Sequence, residues 1–291
     1  MASSFSIEET MTDIFGISKK GGRTYNQDCA AQMTVNGKTA VVVCDGLGAY
    51  AGSDIAGEIA IDRVLKQLKK DIIKGEDVLS PVALTKAVKA AHNAILKGKG
   101  FKGDFIEGCT TIALVVTDGK GAAIATLGDT RVYYFKNGKL GFQSRDHSLA
   151  QAAVDRGEIK REEIRYHSGQ NKLTKVIGSD VFSPPDIHII SGPLSDGDLL
   201  MIASDGFWEY VFESEMAQAA GRGLDARTLV EGLETLLLGR VDGRNDNYTA
   251  VALAFGAPKT PAAQADAGNI RVWEADEQSP AQADAEPTGR P

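Results

Sequence analysis

The stretch Lys38-Thr39-Ala40-Val41-Val42-Val43-Cys44-Asp45-Gly46-Leu47-Gly48 runs an apolar segment straight into an acidic residue among small ones. An apolar run of this length reads as a strand buried on both faces. The arrangement recurs along the chain. Ala122 to Leu127 ends in Gly128-Asp129, Leu199 to Ala203 ends in Ser204-Asp205-Gly206, and Asp246-Asn247 immediately precedes the run Tyr248 to Phe255. One carboxylate at a strand end is a turn residue. Four such ends can be brought to one rim of one sheet system. Clustered carboxylates repel unless a cation neutralises them. The economical explanation is a metal site of oxygen ligands, suited to Mg²⁺ or Mn²⁺.

Outward from this stretch, hairpin signals dominate. Asn36-Gly37 and Asn137-Gly138 predict tight turns. Strands are expected at 12–18, 29–44 (broken by the first turn), 109–117, 121–127, 131–136, 187–190, 198–203 and 248–255. Helices are expected over 53–70, with Ile55, Ile59, Val64, Leu65 and Leu68 on one face, and over 81–97, with Ser80 as N-cap and Pro81 opening the helix. Two more are expected at 213–220 and 226–239. Residues 145–175 are polar and charged, and read as a mobile segment with one short helix from Ser148 to Arg156. Short connections between strands predict antiparallel sheets with helices segregated from them, an α+β layout.

The chain has 291 residues with 43% hydrophobic content, enough for a sizeable core. Its net charge of −7 argues against nucleic acid or an anionic membrane as partner. Cys29, Cys44 and Cys109 are odd in number and form no C-x-x-C, so they read as reduced structural thiols. No signal peptide and no membrane-spanning run is read, which predicts a cytoplasmic protein. Three regions are expected: a flexible stretch over 1–10, a folded domain over 11–256, and a disordered Ala/Pro/acidic tail over 257–291. The island Ile270-Arg271-Val272-Trp273 is read as a solvent-exposed part of that tail, with docking as the alternative.

Seven short motifs follow in order: Arg23-Thr24-Tyr25-Asn26-Gln27-Asp28, Asp45-Gly46-Leu47-Gly48, Gly108-Cys109-Thr110-Thr111, Gly128-Asp129-Thr130-Arg131, Leu173 to Gly178, Ser204-Asp205-Gly206-Phe207-Trp208, and Asp246-Asn247-Tyr248-Thr249. Each alone is weak, since Asp-Gly is common in turns. Together the set resembles the metal-dependent serine/threonine protein phosphatases, the type-2C-like or PPM family, in its bacterial form. The resemblance is collinear from about 14 to 255.

The resemblance implies a four-layer α-β-β-α sandwich with two Mn²⁺ or Mg²⁺ ions at one end and a weaker third ion. Asp45 would bridge the two ions, and the Gly46 carbonyl would bind one of them. Asp205 and Asp246 would bind the other, and Asp129 would share the third ion with Asp205. Arg23 matches the phosphate-binding arginine, whose planar fork suits bidentate contact. Asp28, Gln27 and Asn247 would orient the ligands and their waters from behind. The implied reaction is hydrolysis of phosphoserine and phosphothreonine by direct attack of a hydroxide held between the ions. The implied partners are phosphoproteins made by a cognate kinase, with the enzyme acting as a monomer.

This chain departs from the family pattern at three places. Gln27 stands where many members have Glu, Ala49-Tyr50 stands where a second Gly is usual, and Leu47 stands where animal relatives carry a His. No general acid is assigned. Outside the site, Arg131 is read as a structural ion-pair partner, His147 as a structural hydrogen-bonder and Trp208 as core. Asp118, Asp196 and Asp198 are read as turn residues. Two other readings remain: a phosphatase of small phosphoesters or nucleotides, and an inactive binding module of the same fold. The second sits poorly with four retained aspartates.

Overall fold

The computed structural model describes residues 12–48, 52–97, 108–256 and 270–273. Strand β1 (Thr12–Lys19) leads into a hairpin of β2 (Asp28–Val35) and β3 (Lys38–Asp45). Asn36 and Gly37 both take positive φ, 47° and 70°, as a turn matched to the twist of its strands requires. Helices α1 (Ser53–Ile73) and α2 (Pro81–Leu96) follow. Ser80 caps α2 by accepting from the Ala83 amide at 3.3 Å. Then come β4 (Ile112–Thr117), β5 (Ala122–Leu127), β6 (Arg131–Lys136) and β7 (Lys139–Gln143), the last two joined through Asn137 and Gly138 at positive φ. After α3 (Leu149–Asp155) and a 3₁₀ turn over Arg161–Tyr166 the chain forms β8 (Asp186–Ile190) and β9 (Leu199–Ala203). It closes with α4 (Asp205–Trp208), α5 (Glu213–Ala220), α6 (Ala226–Leu238), β10 (Tyr248–Phe255) and β11 (Ile270–Trp273).

The strands make two antiparallel sheets, ordered β1-β10-β9-β6-β7 and β11-β2-β3-β4-β5-β8. Three apolar layers hold them. Val41, Val43, Val115 and Ile124 of one sheet meet Val132, Ile202, Val251 and Leu253 of the other. Ala31, Met33, Val42 and Leu114 face Ile59, Leu65, Leu68, Leu84 and Val88 of α1 and α2. Tyr133, Phe135, Met201 and Ala250 face Leu229, Leu233 and Leu237 of α6. This is the expected α-β-β-α order. The alternation of strand faces explains it: β3 buries both faces, so it reads as an unbroken apolar run.

The sequence reading needs two corrections. Residues 145–175 are anchored. Buried Asp146 and His147 tie the segment to the sheets, and the Thr174 amide donates to the His147 carbonyl at 2.7 Å. Ile270–Trp273 docks rather than running free in a tail: it pairs antiparallel with Ala30–Met33 at the edge of β2, with Val272 left exposed and Trp273 buried. That edge offers unpaired amides and carbonyls. Trp273, 8% exposed, joins the layer between the sheets beside Gly16, where an added Cβ would lie 3.0 Å from the indole. The expectations for residues 1–10 and for the rest of 257–291, like Ala49 and Tyr50, lie outside the described residues.

The Trp273 contact has a thermodynamic consequence. A chain ending at Gly256, or Trp273→Ala in the full chain, is expected to lose about 3 kcal/mol of stability, the usual effect of deleting a buried large aromatic. Thermal unfolding followed by circular dichroism checks this. A melting temperature equal to that of the full chain would show that β11 contributes nothing.

Candidate functional site

Antiparallel pairing carries the four strand-end aspartates to the same rim. Asp45 closes β3 and Asp129 follows β5 in one sheet. Asp205 follows β9 and Asp246 precedes β10 in the other. All four line one cleft of about 310 Å³, with Arg23, Gln27, Gly46, Asn171, Leu173 and Asn247. The sequence-predicted residues are therefore brought together, except Asp28, which lies beneath the cleft.

Local chemistry sets each carboxylate. The Asp45 backbone is fixed by Thr111: its amide donates to Thr111 Oγ1 at 3.0 Å, and its carbonyl accepts from the Thr111 amide at 2.9 Å. Gly46 is required by close packing, since a Cβ there would meet the Ser53 carbonyl oxygen at 2.6 Å. Gly128 takes φ 110° and a Cβ would meet the Thr111 side chain at 2.5 Å, so the turn presenting Asp129 needs glycine. Asp205 opens α4, and the Gly206 amide donates to its Oδ1 at 2.6 Å. The Asn247 amide donates to Asp246 Oδ1 at 2.8 Å.

The loop carrying Arg23 is stapled by Asn247. Its Nδ2 donates to the carbonyls of Lys20 (2.8 Å) and Tyr25 (3.0 Å), and its Oδ1 accepts from the Gln27 amide (2.9 Å). Arg23 donates through Nη2 to Asp246 Oδ2 at 2.6 Å. That pair is part-exposed, so its worth is in placing the guanidinium at the cleft mouth rather than in stability.

The electrostatics are those of crowded anions. Burial, then the charges of Asp28 and Asp205, hold the Asp45 carboxyl well above the usual carboxylate range. Burial and Asp205 do the same to Asp129. Burial and Asp246 push Asp205 up to about 6. Asp28 lies directly opposite Asp45 in the β2–β3 register. Burial pushes it up to about 7 although Ser204 Oγ donates to its Oδ2 at 2.7 Å. Its Oδ1 is buried with no hydrogen-bond partner among the described residues.

These observations test the fit of a cation. Asp45 lines the same cleft as Asp129, Asp205 and Asp246, and their charges add to burial in holding its proton, a repulsion that a cation among them would relieve. Among the described residues no three acidic, imidazole or thiol groups converge on one point. Asp246 is drawn to Arg23 instead. The donors are carboxylate and carbonyl oxygens, with no His or Cys lining the cleft. A hard divalent ion that keeps several waters suits such a set, and zinc does not. The residues fit Mg²⁺ or Mn²⁺.

Several participants were not singled out in the sequence. Thr111 and Ser204 position Asp45 and Asp28, and both sit inside quoted motifs, which is the signal that could have found them. Asn171 and Leu173 reach the cleft from the segment after α3. Burial, then Asp205 and Asp246, push the Glu209 carboxyl up to about 8, and Gln170 Nε2 donates to it at 2.6 Å. Nothing local in the sequence marks it. Arg131 makes the expected ion pair, bidentate to Asp146 at 2.8 and 2.7 Å. His147 hydrogen-bonds both backbone groups of Gly128. Asp118 and Asp198 accept from turn amides.

Comparison with known proteins agrees with this geometry. Residues 16–237 match the protein phosphatase 2C family. The chain belongs to that family, and its enzymatic class is that of a serine/threonine phosphoprotein phosphatase. It is 27% identical over 215 residues to the serine/threonine phosphatase stp of Listeria monocytogenes, covering 72% of this chain and 82% of that protein. It is 26% identical to the serine/threonine protein phosphatase PstP of Mycobacterium tuberculosis, over 74% of this chain and 40% of the longer relative. The fold matches Stp1 of Staphylococcus aureus with a TM-score of 0.72 at 24% identity, covering 85% of this chain and 96% of that one. It also matches a PstP catalytic domain solved with two manganese ions, with a TM-score of 0.65 at 24% identity, covering 85% of this chain and all of that one.

The raised carboxyls predict a pH dependence. Asp28 and Asp205 keep protons in the folded, metal-free chain up to about 7 and about 6. The unfolded chain releases them near pH 4, so between these limits the folded state binds more protons and stability falls as pH rises. The melting temperature of the EDTA-treated protein should drop from pH 5.5 to pH 8, and Asp28→Asn should flatten that slope. A slope of opposite sign would contradict the described electrostatics.

Proposed function

We propose that this chain hydrolyses phosphoserine and phosphothreonine in proteins using divalent ions held by Asp45, the Gly46 carbonyl, Asp205 and Asp246. Asp129 and Asp205 would together hold a weaker third ion. One observation carries the reading: carboxylate-bearing strand ends from both sheets open into a single cleft with Arg23 at its mouth. The manganese-bound fold relative supports the ion assignment.

When bound, such ions would supply charge neutralisation of the phosphoryl oxygens and activation of water as a nucleophile near neutral pH. The chain's own residues do the rest. Arg23 leaves Asp246 to grip two phosphoryl oxygens, and its fork places the phosphorus over the carboxylate rim. Asn247 holds the loop that aims it. Asp28, anchored by Ser204, accepts a proton or a water's hydrogen bond through its otherwise unpartnered Oδ1. Gln27 keeps a hydrogen-bonding amide in the cleft without adding charge. Phosphoryl transfer of this kind rests on positioning and charge stabilisation. Its substrates are then products of a serine/threonine kinase.

Hydrolysis of p-nitrophenyl phosphate should require added Mn²⁺ or Mg²⁺, and Asp45→Asn, Asp205→Asn and Asp246→Asn should each nearly abolish it. A phosphothreonine peptide should be turned over in preference to a phosphotyrosine one. Full activity in excess EDTA would refute the ion assignment.

For the same assay, Arg23→Ala is expected to lower kcat/KM roughly ten- to a thousandfold, the worth of one charge-assisted contact of about 1.5–4 kcal/mol. Metal affinity should stay nearly unchanged. A shift in metal titration as large as the loss of turnover would place Arg23 in the scaffold.

A further inference from the structure

The turn that presents Asp129 is clamped on several sides. The Gly128 amide donates to His147 Nδ1 at 3.1 Å, and the His147 amide donates to the Gly128 carbonyl at 2.8 Å. Thr130 Oγ1 lies 2.6 Å from Thr111 Oγ1. These clamps come from β4's approach and from the segment after β7. One comes from elsewhere. Trp208 Nε1 donates to the Asp129 carbonyl at 3.0 Å in a buried contact. Trp208 is the last residue of α4, the four-residue helix that Asp205 opens. Its ring is in turn fixed. The Arg131 guanidinium stacks on it at 3.5 Å while gripping both oxygens of Asp146. Trp208 is 1% exposed and Arg131 2%.

We infer that Trp208 is a positioning residue: its indole N–H ties the Asp129 turn to the helix of Asp205 and so sets the spacing of the two carboxylates. A purely apolar core residue in this place would fill the volume and leave that spacing free. The Asp129 turn crosses from β5 of one sheet into β6 of the other, and β6 pairs with β9, the strand that Asp205 follows. Pairing of Arg131 with Ala203 fixes the strands but not the turn: a shift of the turn by a fraction of an ångström would change the gap between carboxylates that must share one ion, and the Trp208 bond opposes that shift. The inference rests on the reading that Asp129 and Asp205 hold a weak ion together.

The test uses the full chain and Mn²⁺ alone as the calorimetric probe, with turnover of a phosphothreonine peptide alongside. Trp208→Phe keeps an aromatic ring for Arg131 and removes the N–H together with the pyrrole half of the indole, so melting temperature is followed in parallel to separate lost packing from the lost bond. It should move the weakest Mn²⁺ binding step to about five- to tenfold higher concentration, the effect of one lost hydrogen bond. The tighter steps should stay, and kcat should fall with KM unchanged. In an Asp129→Ala background the same substitution should have no further effect on kcat, because both changes act on one group. Arg131→Lys, which cannot stack and grip Asp146 together, should shift the weak step in the same direction. An unchanged Mn²⁺ titration in Trp208→Phe with only a lowered melting temperature would overturn the inference, as would additive losses in the double variant. If Asp129→Ala alone moved neither metal binding nor turnover, the shared ion itself would be refuted.

Discussion

Mutual repulsion among carboxylates is the constraint on which this structure turns. Two sheets whose ends carry Asp45, Asp129, Asp205 and Asp246 are packed face to face so that these groups meet in one cleft. Without a counter-charge their meeting opposes folding, because burial and mutual charge both favour the protonated acid. The apolar layers hold the rim together against this. Val41, Val43, Val132, Ile202 and Val251 bind the two sheets directly beneath the acids. The site is thus preorganised by packing that is itself indifferent to phosphate, and its stored repulsion becomes affinity for a cation.

The hydrogen bonds around the rim share a pattern. Short polar side chains fix backbone, and the fixed backbone aims the acids. Thr111 holds Asp45, Asn247 holds the Arg23 loop, and Ser204 spans the sheets to reach Asp28. Buried Arg131 and Asp146 form a bidentate pair under the Asp129 turn, where loss of either partner would strand a charge. Such a network allows little adjustment, which suits a reaction that depends on placing a phosphorus among fixed charges.

Much of this was legible in the sequence. Runs such as Val41–Cys44 and Leu199–Ala203 are continuous because both faces of their strands are covered, so strand positions could be read without alternation. Asn36-Gly37 and Asn137-Gly138 named their own turns. The acids at strand ends named the rim. Three features could not be read. The docking of Trp273 depends on the open edge of β2 and the space at Gly16, both tertiary. The anchoring of 145–175 depends on Asp146 and His147 finding Arg131 and Gly128 across the fold. The meeting of Glu209 with Gln170 and Asp246 depends on packing across the fold, and nothing local marks it.

The most direct test is anomalous diffraction from a crystal of the full chain grown with Mn²⁺. The account predicts at least two strong anomalous peaks in the cleft, one beside Asp45 and the Gly46 carbonyl and one beside Asp45, Asp205 and Asp246, with Arg23 released from Asp246. Peaks confined to other surfaces, with the Arg23–Asp246 pair intact and the four aspartates unliganded at saturating Mn²⁺, would contradict it.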